Sequence, residues 1–126
     1  MGIELHRRKF EMITYDLSKF STKPFGRYVK DGKFNGTTFR EILSVKLKEA
    51  QSENDYLIVD LDNIEFGVGS SFLEEAFGGL VRKGLFTKDE LIGSQGILQI
   101  KSQQAFYKEE IHQYIDEAKK ENNQGS

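Results

Sequence analysis

The sequence predicts a single α/β domain, with about four strands in a mostly parallel or mixed sheet and helices packed on it. Strand-like and helix-like patterns alternate along the 126 residues, in the order strand, turns, helix, strand, helix, strand, helix. The composition, 37% hydrophobic and 30% charged, is that of an ordinary globular protein with one core. We therefore expect one domain over residues 1–120 and a polar, disordered tail over residues 121–126.

Three segments have the patterns of strands. In EMITYDLSKF (11–20), Ile13, Tyr15 and Leu17 alternate with more polar residues, which indicates a half-buried strand. The segment YLIVDLD (56–62) is a continuous apolar run, typical of a central strand covered on both faces. GILQIK (96–101) is the third. Between the first two, residues 21–36 are rich in turn formers, and we expect a short hairpin through residues 27–29 around Asp31 and Gly32.

Three segments have helical spacing, at about 38–50, 71–83 and 103–120. Thr38 with Glu41, and Ser71 with Glu74, have the spacing of capping boxes at the first two helix starts. Gly84 is the expected stop of the second helix. That helix should bury an apolar stripe formed by Phe72, Leu73, Ala76, Phe77, Leu80 and Val81.

Composition and charge exclude several classes of function. Without cysteine the chain has no disulfide, thiolate metal site or cysteine nucleophile. Its net charge of −2 gives no field that would attract nucleic acid or an anionic membrane. The charged start MGIELHRRKFEM has no apolar core of a signal peptide, and no run is long enough to span a membrane. We therefore expect a soluble, cytoplasmic protein without a cofactor.

Two clusters of ionisable residues have a structural and a chemical interpretation. Glu109, His112 and Asp116 share one face of the last helix, either as a solvated face or as metal ligands. The segment DLDNIE carries Asp60, Asp62 and Glu65 near the end of the central strand. These side chains are either strand-ending and turn residues or ligands for Mg²⁺ and acid–base groups.

The segment EFGVGSSFLEEAFGGL (65–80) contains two adjacent serines at a helix start, after a loop with two glycines. The structural interpretation is that Ser71 caps the helix while Gly67 and Gly69 allow the chain to turn. The functional interpretation is that a serine is phosphorylated there, because a helix start favours the charge of a phosphate. Both interpretations use the same physics, and both stay open at this point.

The residues from LIVDLDNIEFGVGSSFLEEAF (57–77) resemble the STAS domain of anti-sigma-factor antagonists. In this resemblance Asp60 matches the strand aspartate and Ser71 matches the serine that a partner kinase phosphorylates, whereas Gly69 and Phe72 depart from the antagonist pattern. GKFNGTTFREIL (32–43) and VDLDNIEFGVGSSFLEEAFGGLVRKG (59–84) are more similar still to the bacterial STAS-like domain family of unknown function. The resemblance implies a partner of the histidine-kinase-like ATPase type.

We therefore expect a non-enzymatic regulatory domain that binds a protein partner and is switched by phosphorylation of Ser71 or, second, Ser70. The alternative is a nucleotide or small-molecule sensor with its ligand near Asp62, Gly67 and Ser70. No nucleophile–base pair or cofactor loop supports an enzyme. The expected partner-binding residues surround the helix start: Phe66, Gly67, Val68, Gly69, Ser70, Ser71, Phe72, Glu74 and Glu75.

Overall fold

A computed structural model describes residues 13–64 and 67–121. These residues form a sheet of three parallel strands in the order β1-β2-β3, with β1 at Ile13–Asp16, β2 at Leu57–Asp60 and β3 at Leu98–Lys101. The mixed α/β class and the central position of β2 are confirmed. The predicted sheet of about four strands is not, because the described residues supply three. The expected disordered tail lies, except for Glu121, outside the described residues.

The sheet has one face covered by helices. Side chains that lie in register across the strands on this face form two rows, Ile13–Leu57–Leu98 and Tyr15–Val59–Ile100. On the opposite face Ile58 is only half-buried, and its neighbours Thr14 and Gln99 are exposed in the described part of the chain. The prediction that β2 is covered on both faces is therefore wrong for the described residues.

Helical segments connect and cover the strands of the described residues. α1 spans Gly36–Ser52. α2 (Ser70–Leu73) continues without a break into a π-helical turn at Glu74–Gly78 and then into α3 (Gly79–Arg82). We call this continuous unit the serine helix. α4 spans Lys88–Ile92 and α5 spans Ala105–Glu117, and short 3₁₀ turns lie at Leu17–Lys19 and Val29–Asp31. None of the helices in the described ranges has the length and apolar character needed to cross a membrane.

Phenyl rings make up the centre of the core. Phe39 of α1 stacks on Phe72 with ring centroids 5.6 Å apart, and it meets Phe77 edge-on at 6.2 Å. Phe20 adds a fourth ring at 5.2 Å from Phe39. Phe39, Phe72 and Phe77 are all fully buried. These contacts fix α1 against the serine helix, since such rings bury large areas and have preferred packing geometries.

The start of α1 differs from the predicted Thr38–Glu41 capping box, which is wrong. The cap is Asn35, whose side-chain oxygen accepts the backbone N–H of Thr38 at 2.9 Å. The side-chain nitrogen of Asn35 also donates to the carbonyl of Gly32 at 2.7 Å. Through these two hydrogen bonds Asn35, which is only 1% exposed, joins the helix start to the preceding turn.

The predicted hairpin around Asp31 and Gly32 is also wrong. Val29–Asp31 form a 3₁₀ turn instead, and the Asp31 carboxylate accepts the backbone N–H groups of Arg27 and Tyr28 at 3.1 and 3.0 Å. An aspartate that binds its own preceding backbone closes a local turn, and residues 21–36 contain no strand.

Gly84 ends the serine helix, as predicted. It has a φ of +73°, and the backbone N–H groups of Gly84 and Leu85 donate to the carbonyls of Val81 and Leu80. This pair of hydrogen bonds is a Schellman motif. The short α4 that follows was not predicted, although Thr87 and Glu90 form a reciprocal capping box at its start.

Candidate functional site

The serine helix begins without a side-chain cap. Its N-cap residue is Gly69, and the Gly69 carbonyl accepts the backbone N–H of Leu73 at 3.1 Å. The helix therefore starts at Ser70, one residue before the predicted start, and the predicted Ser71–Glu74 capping box is wrong. Glu74 does not reach back to the helix start because arginines occupy its carboxylate.

The two serines have different surroundings. The Ser70 hydroxyl donates to the Glu110 carboxylate of α5 at 2.6 Å, and the Tyr114 hydroxyl donates to the same carboxylate at 2.6 Å. Burial, followed by the hydrogen bond to Glu110, raises the pKa of Tyr114. Ser71 is exposed, and its hydroxyl makes no hydrogen bond to any residue of 13–64 or 67–121. Both serines are exposed, but only Ser70 holds a neighbouring helix through its hydroxyl; the Ser71 hydroxyl makes no such contact in the described part of the chain.

The other expected partner-binding residues divide by exposure. Phe72 is fully buried and Glu75 is 4% exposed, so neither side chain is available to a partner in this conformation. Gly67, Val68 and Glu74 are half-buried. Phe66, like Glu65, lies outside the described residues. Gly69, Ser70 and Ser71 are exposed and form the accessible surface of this segment.

Five charged side chains below the helix start form an arginine–glutamate cluster that the sequence did not reveal: Arg27, Arg40, Arg82, Glu74 and Glu75. Arg27 and Arg82 both donate to the Glu74 carboxylate. Arg40 and Arg82 donate to the two oxygens of Glu75 at 2.7 and 3.1 Å. The cluster connects the turn-rich segment, α1 and the serine helix.

Ion pairs with arginine compensate for the burial of the two carboxylates, Glu74 and Glu75. Burial alone would raise the pKa of Glu74, but hydrogen bonds from Arg82 and Arg27 lower it below its ordinary value. Glu75 is nearly inaccessible, and such a carboxylate is tolerated only when it is paired and hydrogen-bonded. Within the described residues no buried side-chain nitrogen or oxygen lacks a hydrogen-bond partner.

The π-helical turn lies at the same place as this cluster. The backbone N–H of Gly79 donates to the carbonyl of Glu74, five residues earlier, and Arg40 donates to the carbonyl of Glu75 at 3.0 Å. A β-carbon on Gly79 would lie 2.6 Å from the Arg40 guanidinium, so glycine is needed there. The widened turn therefore admits a buried arginine beside the helix backbone.

The strand-end carboxylates are engaged within the fold. Asp62 accepts the backbone N–H of Gln103 at 2.8 Å and the Lys101 ammonium at 3.0 Å. The hydrogen bond from Gln103, followed by that from Lys101, lowers the pKa of Asp62. Asp60 accepts the backbone N–H of Asp62 at 2.9 Å, which closes a local turn. These contacts match the structural interpretation of DLDNIE for Asp60 and Asp62.

Within residues 13–64 and 67–121, neither cluster of ionisable residues forms a metal-binding group. In the described part of the chain no group of three or more histidine, aspartate or glutamate side chains is placed to hold a metal ion. Glu109, His112 and Asp116 remain on one face of α5. Burial, followed by the charge of Lys108, lowers the pKa of His112.

Two cavities border the candidate residues. A cavity of about 440 Å³ lies beyond the strand ends and is lined by residues that include Asp62, Gly67, Gln103 and Tyr107. A second cavity, of about 630 Å³, lies at the start of the serine helix. Ser70 and Ser71 line the second cavity, so the structure separates Ser70 from Asp62 and Gly67, which the ligand hypothesis had placed together.

No curated protein and no solved structure shows significant similarity to the chain. A match exists at the level of protein families, and it runs from Asn35, the cap of α1, to Gly93, which follows α4. It includes β2, the serine helix and all three residues of the exposed helix start. Residues 35–93 match the model of a family described as the STAS-like domain of unknown function, which confirms the family resemblance found in the sequence.

Proposed function

We propose that this protein is a non-enzymatic regulatory domain that binds a protein partner through the exposed start of the serine helix, Gly69–Ser71. Phosphorylation of Ser71 is the proposed switch. The observation that carries this proposal is that the Ser71 side chain is exposed and neither caps the helix nor bonds to another described residue. A side chain without a structural role, in a segment that lies within the family match, is free to serve recognition.

The physical effect of the switch would be electrostatic. A phosphoserine adds about −1.5 to −2 charges and three strong acceptor oxygens. Ser71 borders the same cavity as Lys30, a cation that a phosphate would attract. A partner that uses this surface would then meet a changed charge without any unfolding of the domain. The resemblance to antagonist domains suggests an ATPase of the histidine-kinase-like, anti-sigma-factor type as that partner.

The proposed switch is tested by recovering the protein from its host and measuring its intact mass and its bound partners. Wild type, Ser71→Ala and Ser71→Asp are compared, with Ser70→Ala as the matched control one residue away. We expect a phosphate-sized mass increment in wild type and Ser70→Ala that is missing from Ser71→Ala. We also expect a partner ATPase that wild type retains and Ser71→Asp loses. An unmodified protein whose partners ignore both Ser71 substitutions contradicts the proposal.

A second candidate function is supported by the cavity at the strand ends. It has about 440 Å³ and polar lining groups from Asp62, Gln103 and Gln104, which suits a small ligand. Gly67 borders it with a φ of +94° and gives the backbone close access. We propose a nucleotide or small-molecule sensor as this alternative. It predicts a rise in melting temperature with one member of a nucleotide panel, and a flat response across the panel counts against it.

A further inference from the structure

An exposed group of apolar side chains lies on the turn-rich segment before α1. Phe25 is 69% exposed and Val29 is 66% exposed, and Tyr28 and Phe34 are exposed as well. Scattered exposed apolar residues are normal, but several on one short segment mark an interaction site. With Lys30 and Lys33, which are also exposed, these four side chains form what we call the aromatic–basic surface.

The segment that carries this surface is held in place by the fold. The backbone N–H of Phe25 donates to the carbonyl of Phe34 at 3.1 Å, and that of Gly36 donates to the carbonyl of Gly26 at 3.0 Å. Arg27 is anchored by its ion pair to Glu74 in the arginine–glutamate cluster. Asn35 is buried and caps α1. The apolar side chains are therefore presented to solvent by an ordered segment.

The charge of the surface is positive although the whole chain carries a net charge of −2. Its cations are Lys30 and Lys33, because Arg27 behind them is paired with Glu74. The one carboxylate within residues 25–34, that of Asp31, accepts the backbone N–H groups of Tyr28 and Arg27. An acidic partner would thus be attracted to this surface while the rest of the molecule repels it.

We propose that the aromatic–basic surface binds an acidic segment of a protein partner that carries apolar side chains. Apolar groups of the segment would cover Phe25, Tyr28, Val29 and Phe34, and its carboxylates would pair with Lys30 and Lys33. A protein is favoured over a single-stranded nucleic acid because Val29 offers no ring for stacking and Arg27 is already paired with Glu74.

The surface is continuous with the helix start proposed as the switch. One cavity of about 630 Å³ is lined both by Phe25, Tyr28 and Lys30 and by Ser70 and Ser71. A phosphate on Ser71 would place about −1.5 to −2 charges beside Lys30 and would compete with an acidic segment for this lysine. This regulatory step rests on the proposed function, whereas the binding of an acidic segment does not.

The test is fluorescence anisotropy of the full chain with two labelled peptides of about twelve residues that alternate Leu with either Glu or Lys. We expect the Glu peptide to bind about tenfold or more tightly than the Lys peptide, and its binding to weaken with added salt. Lys30→Glu should weaken it about fivefold or more, whereas Lys119→Glu, an exposed lysine elsewhere, should change it less than about twofold. Val29→Ser should weaken it as well, and Val45→Ser, an exposed valine on α1, should not.

Three outcomes overturn the proposal. Equal binding of the two peptides, or binding that ignores Lys30→Glu and Val29→Ser, removes the surface as an acidic-segment site. Tighter binding of a labelled uridine oligonucleotide would assign it to nucleic acid instead. Self-association that Val29→Ser abolishes would assign it to a second copy of this chain. The peptide experiment uses unmodified protein, so its failure leaves the Ser71 switch standing, and loss of the phosphate increment leaves the peptide result standing.

Discussion

Replacing Ser71 with alanine tests whether this side chain contributes to the stability of the fold. The hydroxyl is exposed and caps nothing, so we expect a change in unfolding free energy within about 0.5 kcal/mol. A capping serine would instead cost about 1 kcal/mol on the same substitution. The better helix propensity of alanine would further offset any small loss.

Asn35→Ala is the matched positive control, because Asn35 does cap a helix. The substitution removes the cap on the Thr38 N–H, which costs about 1–2 kcal/mol. It also removes the side-chain hydrogen bond to the Gly32 carbonyl, which is worth about 0.5–1.5 kcal/mol. We therefore expect a total loss of about 2–3 kcal/mol.

Urea unfolding followed by far-ultraviolet circular dichroism measures both effects, since the chain has no tryptophan to report by fluorescence. With a slope of about 2 kcal/mol per M, Ser71→Ala should shift the midpoint by less than about 0.3 M and Asn35→Ala by about 1–1.5 M. A loss of 1 kcal/mol or more in Ser71→Ala, on the order of a cap, would show that the hydroxyl holds the helix start and would refute the reasoning behind the proposed switch.

Three further substitutions test the architecture around the site. Glu75→Gln should destabilise the protein by about 3 kcal/mol in urea because it leaves the nearly buried Arg40 without its countercharge, and a loss below 1 kcal/mol would contradict the buried pair. Glu74 has a lowered pKa in the folded protein, so its ionised carboxylate stabilises the fold above the ordinary pKa of 4.5, and this contribution is lost as the pH falls through the lower folded pKa. Glu74→Gln should therefore make the unfolding free energy less dependent on pH in that window. An unchanged acid profile of the unfolding free energy would contradict this prediction. Gly67→Ala should lower the unfolding free energy by about 1–2 kcal/mol, because Gly67 has a φ of +94° and a β-carbon there would lie 2.9 Å from the Tyr107 hydroxyl. An unchanged unfolding free energy would argue against this loop conformation.

The elements with strong hydrophobic periodicity were predicted correctly from the sequence, but the helix starts were not. β2 and the buried stripe of the serine helix follow from local patterns that tertiary packing reinforces. The predicted helix starts were wrong because several residues near each start have side chains that can cap a helix. Asn35 took the role expected of Thr38, since it alone also satisfies the preceding turn. Thr87 and Glu90 carried a capping signal that would have revealed α4.

The exposure of the candidate residues could be predicted from the sequence only in part. Ser71 is accessible as expected, whereas Glu75, a charged residue in an ordinary helical pattern, is buried. Its burial depends on Arg40, 35 residues away in the chain, which supplies the compensating charge. The aromatic–basic surface was only hinted at by the segments PFGRYVK (24–30) and GKF (32–34), because exposed phenylalanines have the same sequence signal as core ones. Contacts between distant segments, and not local patterns, decide both cases.

The π-helical turn below the serines determines the direction in which they face. A turn of this kind carries one more residue than an α-helical turn, and each residue of an α-helix turns the chain by about 100°. Deletion of one residue within Glu74–Gly78 would restore regular α-helical bonding yet swing Ser70 and Ser71 about 100° around the helix axis. The hydroxyl of Ser71 would then leave the cavity that it shares with Lys30. The π-helical turn, which lies beside the buried side chain of Arg40, thus sets the direction in which the Ser71 side chain points.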